Sequence, residues 1–137
     1  MDLIVGGMGQ GKEQIAMERF GLAPEVTLDL AGSSLTPELL LEFLAGEEGR
    51  QIHCLNHLHC LLRQHWDRKT DWQDWCMHLA ERQPALVILL DEVGSGIIPM
   101  EAEARRYREL VGRVGCMLAA QADTVVRVVC GIGVQIK

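Results

Sequence analysis

The sequence predicts an α/β fold, a three-layer arrangement with a mostly parallel sheet covered on both faces by helices. Three observations predict it. Leu3-Ile4-Val5 is a short apolar run that leads into a glycine-rich turn and then a helix-like segment. Ala85-Leu86-Val87-Ile88-Leu89-Leu90 is continuous and apolar, as a strand buried on both faces must be. Between and after these runs, strand-like and helix-like segments alternate, the pattern of parallel strands joined by crossover helices.

The first element carries the chemistry. Gly6-Gly7-Met8-Gly9-Gln10-Gly11-Lys12-Glu13 follows the Leu3–Val5 strand and fits the GxxxxGK spacing of a phosphate-binding loop. Glycines admit positive φ and let successive N–H groups curl around phosphate oxygens. The helix that follows offers unpaired N–H groups and the positive end of its dipole. Lys12 supplies a mobile cation for the β and γ phosphates. Gly6, Gly7, Met8, Gly9, Gln10, Gly11, Lys12 and Glu13 are therefore the candidate nucleotide-binding residues. Glu13 stands where the motif has a Ser or Thr whose hydroxyl ligates Mg²⁺. Its carboxylate reads either as a helix-start residue favoured by the dipole or as a direct ligand crowding the triphosphate.

The remaining elements follow in order. Gly21 caps the first helix. Glu25–Leu30 alternates polar and apolar and reads as the second strand. Thr36 is an N-cap with Pro37 at the first helical position, opening a helix through Leu44. Gln51–Leu55 is a short, ambiguous strand, followed by a helix over Asn56–Gln64. Thr70 and Gln73 have capping-box spacing at the start of a helix to Arg82, on which Trp72, Trp75, Cys76 and Leu79 form one apolar stripe. Pro84 stops it. After the buried strand come a loop over Gly94-Ser95-Gly96, Pro99, and a long helix from Met100 to Ala120. Val125–Cys130 is a strand, Gly131-Ile132-Gly133 a turn, and Val134–Ile136 a last short strand.

Composition bounds the function. At 137 residues, 48% hydrophobic and 23% charged, the chain is sized for one globular domain. A net charge of −6 argues against a general nucleic-acid binder. Five scattered cysteines argue against a disulfide framework and for a reducing, cytoplasmic compartment. Neither a secretory signal nor an apolar run of membrane-spanning length is expected.

Three further groups are chemical candidates. Asp91 and Glu92 close the buried strand, where ligands of open α/β sheets bind. Either could hold Mg²⁺, orient an attacking hydroxyl, or cap the adjoining loop, and with Lys12 they are the candidate catalytic residues. His53, Cys54, His57, His59 and Cys60 are dense enough to invite a zinc reading, but lack the spacing of known zinc motifs. With Asn56–Gln64 helical, His57 and Cys60 share a face and His59 points elsewhere. Arg105, Arg106, Arg108 and Arg113, interleaved with Glu101, Glu103 and Glu109, read as a salt-bridged solvated helix face.

The C-terminal third carries a resemblance. Glu92-Val93-Gly94, Gly96-Ile97, Pro99, Arg105, Arg108, Gly112-Arg113-Val114, Ala122-Asp123 and Val128-Val129 through Lys137 closely resemble the adenosylcobinamide kinase / adenosylcobinamide-phosphate guanylyltransferase family. The Gly6–Lys12 loop is similar to that family's opening, and together the two blocks cover about half of the chain. The resemblance implies a RecA-like P-loop fold, a homotrimer, and ATP or GTP as donor. It also implies a two-step activity: phosphorylation of a cobinamide hydroxyl, then GMP transfer through a histidine intermediate. The chain departs from the family at Glu13, at Leu35–Arg50 (which holds no histidine), at His53 in place of an acid, and at Gly115-Cys116 in place of Asn-Gln. These departures count against the guanylyltransferase step and against Mg²⁺ as a cofactor. Two function classes remain open: a kinase acting on a cobinamide-type substrate, and a catalytically degenerate relative that serves as a regulatory or interaction module. A small metal-binding protein built on the histidine/cysteine stretch is a third.

Overall fold

A computed structural model describes residues 1–94 and 100–137. Six strands form a single sheet in the order β2-β3-β4-β1-β5-β6. The strands are β1 (Asp2–Gly6), β2 (Thr27–Asp29), β3 (Cys54–Asn56), β4 (Val87–Asp91), β5 (Thr124–Val129) and β6 (Ile132–Gln135). The first five pair in parallel, and β6 turns back antiparallel on β5. The helices are α1 (Lys12–Phe20), α2 (Pro37–Ala45), α3 (Leu58–Gln64), α4 (Trp72–Arg82) and α5 (Ala102–Gln121).

The strands are buried because alternate residues face opposite layers. Leu3, Ile88 and Leu90 join one core with α2, α3, α4 and α5, which includes Leu40, Leu61, Trp75, Leu79 and Leu118. Ile4, Val87, Leu89 and Val126 face the other way, onto Ala16 of α1. One face is thus covered by four helices and the other by one, which leaves the α1 side thin and accessible near β2 and β3. The Trp72–Trp75–Cys76–Leu79 stripe is core, and Trp75 Nε1 donates to Pro37 O at 2.8 Å, tying α4 to the start of α2.

Several local expectations hold. Gly21 caps α1 in the left-handed conformation (φ 66°), and Thr36 Oγ1 accepts the Leu39 N–H at the start of α2. Others shift. The N-cap of α4 is Asp71, not Thr70: its carboxylate accepts from both Gln73 N and Asp74 N, which a shorter hydroxyl one residue earlier does not do here. The second strand is shortened to Thr27–Asp29, because Pro24–Val26 winds into a 3₁₀ turn. The final turn sits at Cys130 and Gly131 (φ 51° and 77°), so Ile132 and Gly133 belong to β6 and not to the turn. The expected loop over Ser95-Gly96 and the role of Pro99 lie outside the described residues. No helix among the described residues is long and apolar enough to cross a membrane.

Candidate functional site

β1 is a central strand, and the chain leaves its carboxyl end through the glycine loop into α1. A Cβ on Gly6 would meet Val128 O of β5 at 2.5 Å, so only glycine lets β1 pass so close to its neighbour. Gly9 and Gly11 adopt φ 71° and 88°, turning the loop back over the strand. Gln10 anchors the loop from its far side. Its side-chain oxygen accepts the Cys130 N–H and its backbone oxygen accepts the Gly131 N–H at 3.0 Å. Met8 stands at the loop's tip, almost fully exposed. Gly11 is the N-cap of α1 and no side chain caps that end. Helix N–H groups and the dipole's positive end therefore face the cleft above the loop.

Lys12 does not extend into solvent. It is buried, and its Nζ lies 2.6 Å from Asp91 Oδ1, 2.9 Å from Gly7 O and 3.2 Å from Gly6 O. Asp91 comes from the carboxyl end of β4, in register with Gly6 of β1, so the parallel pairing delivers acid and lysine to one place. The pair is a desolvated cation held by a carboxylate and two carbonyls.

Glu92 points elsewhere. Arg127 Nε and Nη2 donate to its two carboxylate oxygens at 3.1 and 3.2 Å, a paired contact across the top of β5. Sequence reasoning placed Asp91 and Glu92 together as candidate acids; the structure brings Asp91 to Lys12 and separates Glu92 from it. Glu13 faces β3, where its Oε1 accepts from Asn56 Nδ2 at 2.8 Å. Glu13, Asp91 and Glu92 each have a protein partner here: Asn56, Lys12 and Arg127.

The histidine/cysteine stretch divides. His57 is not helical: it is the N-cap of α3 in the left-handed conformation (φ 56°). That shifts the helix phase. His59 turns toward Asp91, with Nε2 3.8 Å from Asp91 Oδ2 and 3.4 Å from Cys60 Sγ. This corrects the expectation that His57 and Cys60 share a face with His59 turned away. Burial holds the His59 imidazole below its ordinary pKa despite the Asp91 charge, which acts the other way. Burial likewise raises the Cys60 thiol. Tyr107 of α5 braces this turn by donating to His59 O at 3.1 Å, and its hydroxyl is pushed up to about 12, burial first among the causes. No group of three or more His, Cys, Asp or Glu among the described residues is placed to hold a metal ion.

Asp29 and His57 form a pair that sequence reasoning missed. His57 Nδ1 lies 2.7 Å from Asp29 Oδ1. The arginines of α5 split as well: Arg113 lies 3.8 Å from Glu109 one turn away, while Arg105 donates to Met100 O and Arg108 to Gly94 O. The cleft above the loop holds about 400 Å³ and is walled by Gly9, Gly11, Lys12, Asn56, His57 and Asp91, with Met8, Glu13 and Gln14 at its edges.

A mostly parallel sheet whose central strand feeds a glycine loop, a buried lysine and a helix N-terminus is an α/β fold consistent with the P-loop NTPase type. The particular family follows from comparison: the chain belongs to the cobinamide kinase / cobinamide phosphate guanyltransferase family, whose model matches residues 40–136. It is 53% identical over 58 residues to the bifunctional adenosylcobalamin biosynthesis protein CobU of Salmonella typhimurium (strain LT2). It is 52% identical over 58 residues to the protein of that name from Escherichia coli (strain K12). Each match takes in 42% of this chain and spans only 32% of the relative. The family match includes Asp91, His57 and His59 but not the glycine loop, whose reading rests on its own geometry.

Proposed function

We propose that the chain binds a nucleoside triphosphate on the Gly6–Glu13 loop and transfers its terminal phosphoryl group to a hydroxyl of a cobinamide-type substrate. The observation that carries the reading is Lys12, a buried cation at the mouth of a glycine loop whose helix N-terminus has no side-chain cap. A polyphosphate entering the cleft would meet the loop N–H groups and take over Lys12 from Asp91 and the Gly6 and Gly7 carbonyls. Catalysis would rest on positioning and on charge stabilisation at the transferring group. Family membership supports the nucleotide and cobinamide substrates.

ATP and GTP are equally compatible with the loop, because its contacts are to phosphate. Any magnesium would ride on the nucleotide's own phosphates and water. The guanylyltransferase step is read as lost, since Leu35–Arg50 holds no histidine to carry the nucleotidyl group. A homo-oligomer, trimeric by family resemblance, is part of the proposal. The exposed Val129, Ile132, Val134 and Ile136 at the β6 edge support an assembly surface. The compartment proposed is the cytoplasm.

The second reading is a nucleotide-binding relative without turnover. Glu13 favours it, because a carboxylate replaces the metal-ligating hydroxyl beside the triphosphate. Incubation of the protein with cobinamide and either labelled ATP or labelled GTP separates the two. Phosphorylated cobinamide from the parent protein, lost in Lys12→Ala, supports the kinase. Nucleotide binding without product supports the second reading.

A further inference from the structure

Of the two strand-end acids, Glu92 is held by Arg127, and Asp91, even once phosphate displaces it from Lys12, lies at the buried base of the glycine loop and does not line the groove between α1 and β2. The kinase reading still requires a group that takes the proton from the attacking hydroxyl. We propose that the Asp29–His57 pair is that group, with His57 Nε2 as general base and Asp29 as its positioning carboxylate, for an acceptor hydroxyl that enters by the groove between α1 and β2. The inference rests on the phosphoryl-transfer reading above.

The topology builds the pair. β2 and β3 run parallel with Asp29 opposite Asn56, so the carboxyl end of β2 stands beside the residue after β3, which is His57. Asp29 Oδ1 accepts the Ala31 N–H at 2.8 Å and lies 2.7 Å from His57 Nδ1. Burial works against the Asp29 anion, but the Ala31 N–H and the neighbouring histidines outweigh it and keep the carboxyl below its ordinary value. A carboxylate on Nδ1 selects the tautomer that donates from Nδ1–H and leaves Nε2 with a free lone pair. The ring is one-third exposed, open enough to meet a substrate.

The backbone is fixed to aim it. His57 has φ 56°, a conformation that is unfavourable for a non-glycine residue and recurs at functional sites. It is held there by its own N–H, which donates to Asn56 Oδ1 at 2.8 Å. Asn56 Nδ2 in turn donates to Glu13 Oε1, on the first turn of α1. The ring's position is thereby tied to the helix that begins at the phosphate loop.

The place of the acceptor's hydroxyl-bearing arm is a second groove of about 250 Å³, lined by Ala16, Met17, Leu22, Pro24 and Leu89 and by Thr27 and Asp29. It shares Glu13 and Asn56 with the phosphate cleft; Asp29 rims this groove and His57 lines the cleft, so the pair bridges the two across that ridge. In the step, the acceptor O–H gives its proton to Nε2 as its oxygen bonds to the terminal phosphorus. The bond from that phosphorus to the β,γ-bridging oxygen breaks, and the nucleoside diphosphate leaves with the electron pair. The imidazolium then returns its proton to water.

The test uses the whole protein with ATP or GTP and cobinamide. His57→Asn and His57→Gly both suit a left-handed backbone, so both fold. Calorimetric nucleotide affinity stays within about threefold of the parent while turnover falls by about 100-fold or more. Added imidazole restores His57→Gly by about tenfold and leaves Lys12→Ala inactive. Turnover of His57→Asn within about threefold of the parent overturns the assignment. So does a loss in His57→Gly that imidazole leaves unchanged, or a loss confined to Glu13→Gln. A parent that binds nucleotide but never phosphorylates cobinamide overturns the kinase reading and the base with it. A parent that turns over with His57 variants keeping pace overturns the base alone.

Discussion

Lys12 and Asp91 form a buried ion pair at 2.6 Å, closing the bottom of the glycine loop where α1 begins beside the carboxyl end of β4. The side chains are only 8% and 9% exposed, so neither charge has water to fall back on. The lysine that a phosphate would recruit is therefore already compensated. Ligand binding at this loop must be an exchange of anions, with Asp91 left to find other company. His59, 3.8 Å from the free carboxylate oxygen, is the nearest candidate.

Breaking the pair from one side leaves an unpaired buried charge. Asp91→Asn and Lys12→Met are each expected to lower stability by about 3 kcal/mol in urea unfolding. The double variant is expected to recover part of that loss. Additive losses in the double-mutant cycle would mean the two groups do not interact.

Gly6 tests the loop's support. A methyl group there meets Val128 O at 2.5 Å, backbone against side chain, with nothing flexible to yield. Gly6→Ala is expected to cost about 1–3 kcal/mol and to weaken nucleotide binding, measured by thermal unfolding and calorimetry. Wild-type stability in that variant would mean β1 and β5 are less closely spaced than described.

The stability of the protein is expected to fall as pH drops below the imidazole range. Burial lowers the His59 pKa from its ordinary value of 6.5. The unfolded chain then binds a proton that the folded chain refuses, so stability is full above that value and is lost as pH falls toward the folded value. His59→Gln is expected to flatten the profile between neutral pH and mildly acidic pH in urea titrations. An unchanged profile would assign the loss to other groups.

Glu13 tests the metal. Its carboxylate is bonded to Asn56 and offers no hydroxyl to a cation. In the parent, nucleotide affinity is expected to be indifferent to Mg²⁺; in Glu13→Ser, Mg²⁺ is expected to tighten it by about tenfold in calorimetry. Strong Mg²⁺ dependence in the parent would show that the metal needs no protein hydroxyl.

Much of the framework was legible in the sequence, because it is written in short-range patterns. The apolar Leu3–Val5 and Val87–Leu90 runs, the glycine loop, the Gly21 and Thr36 caps and the Trp72–Leu79 stripe each declare themselves within a few residues. The site was legible by halves. Lys12 and Asp91 were both singled out, but their contact depends on strand register across most of the chain. The Asp29–His57 pair arises in the same way from the β2–β3 register, and no local signal marks it. His59 was misdirected for a different reason: the side-chain phase of α3 depends on where the helix starts, and the left-handed His57 moved that start to Leu58. Glu92 could not be separated from Asp91 because Arg127, its partner, lies on a strand far along the chain.

The most direct measurement of the central claim, that the Gly6–Glu13 loop holds nucleoside triphosphate through Lys12, is calorimetric titration of the parent and Lys12→Ala with ATP and GTP. Stoichiometric binding of at least one nucleotide by the parent, abolished in Lys12→Ala while that variant remains folded, is the predicted result. No binding by the parent, or equal binding by the two proteins, would contradict it.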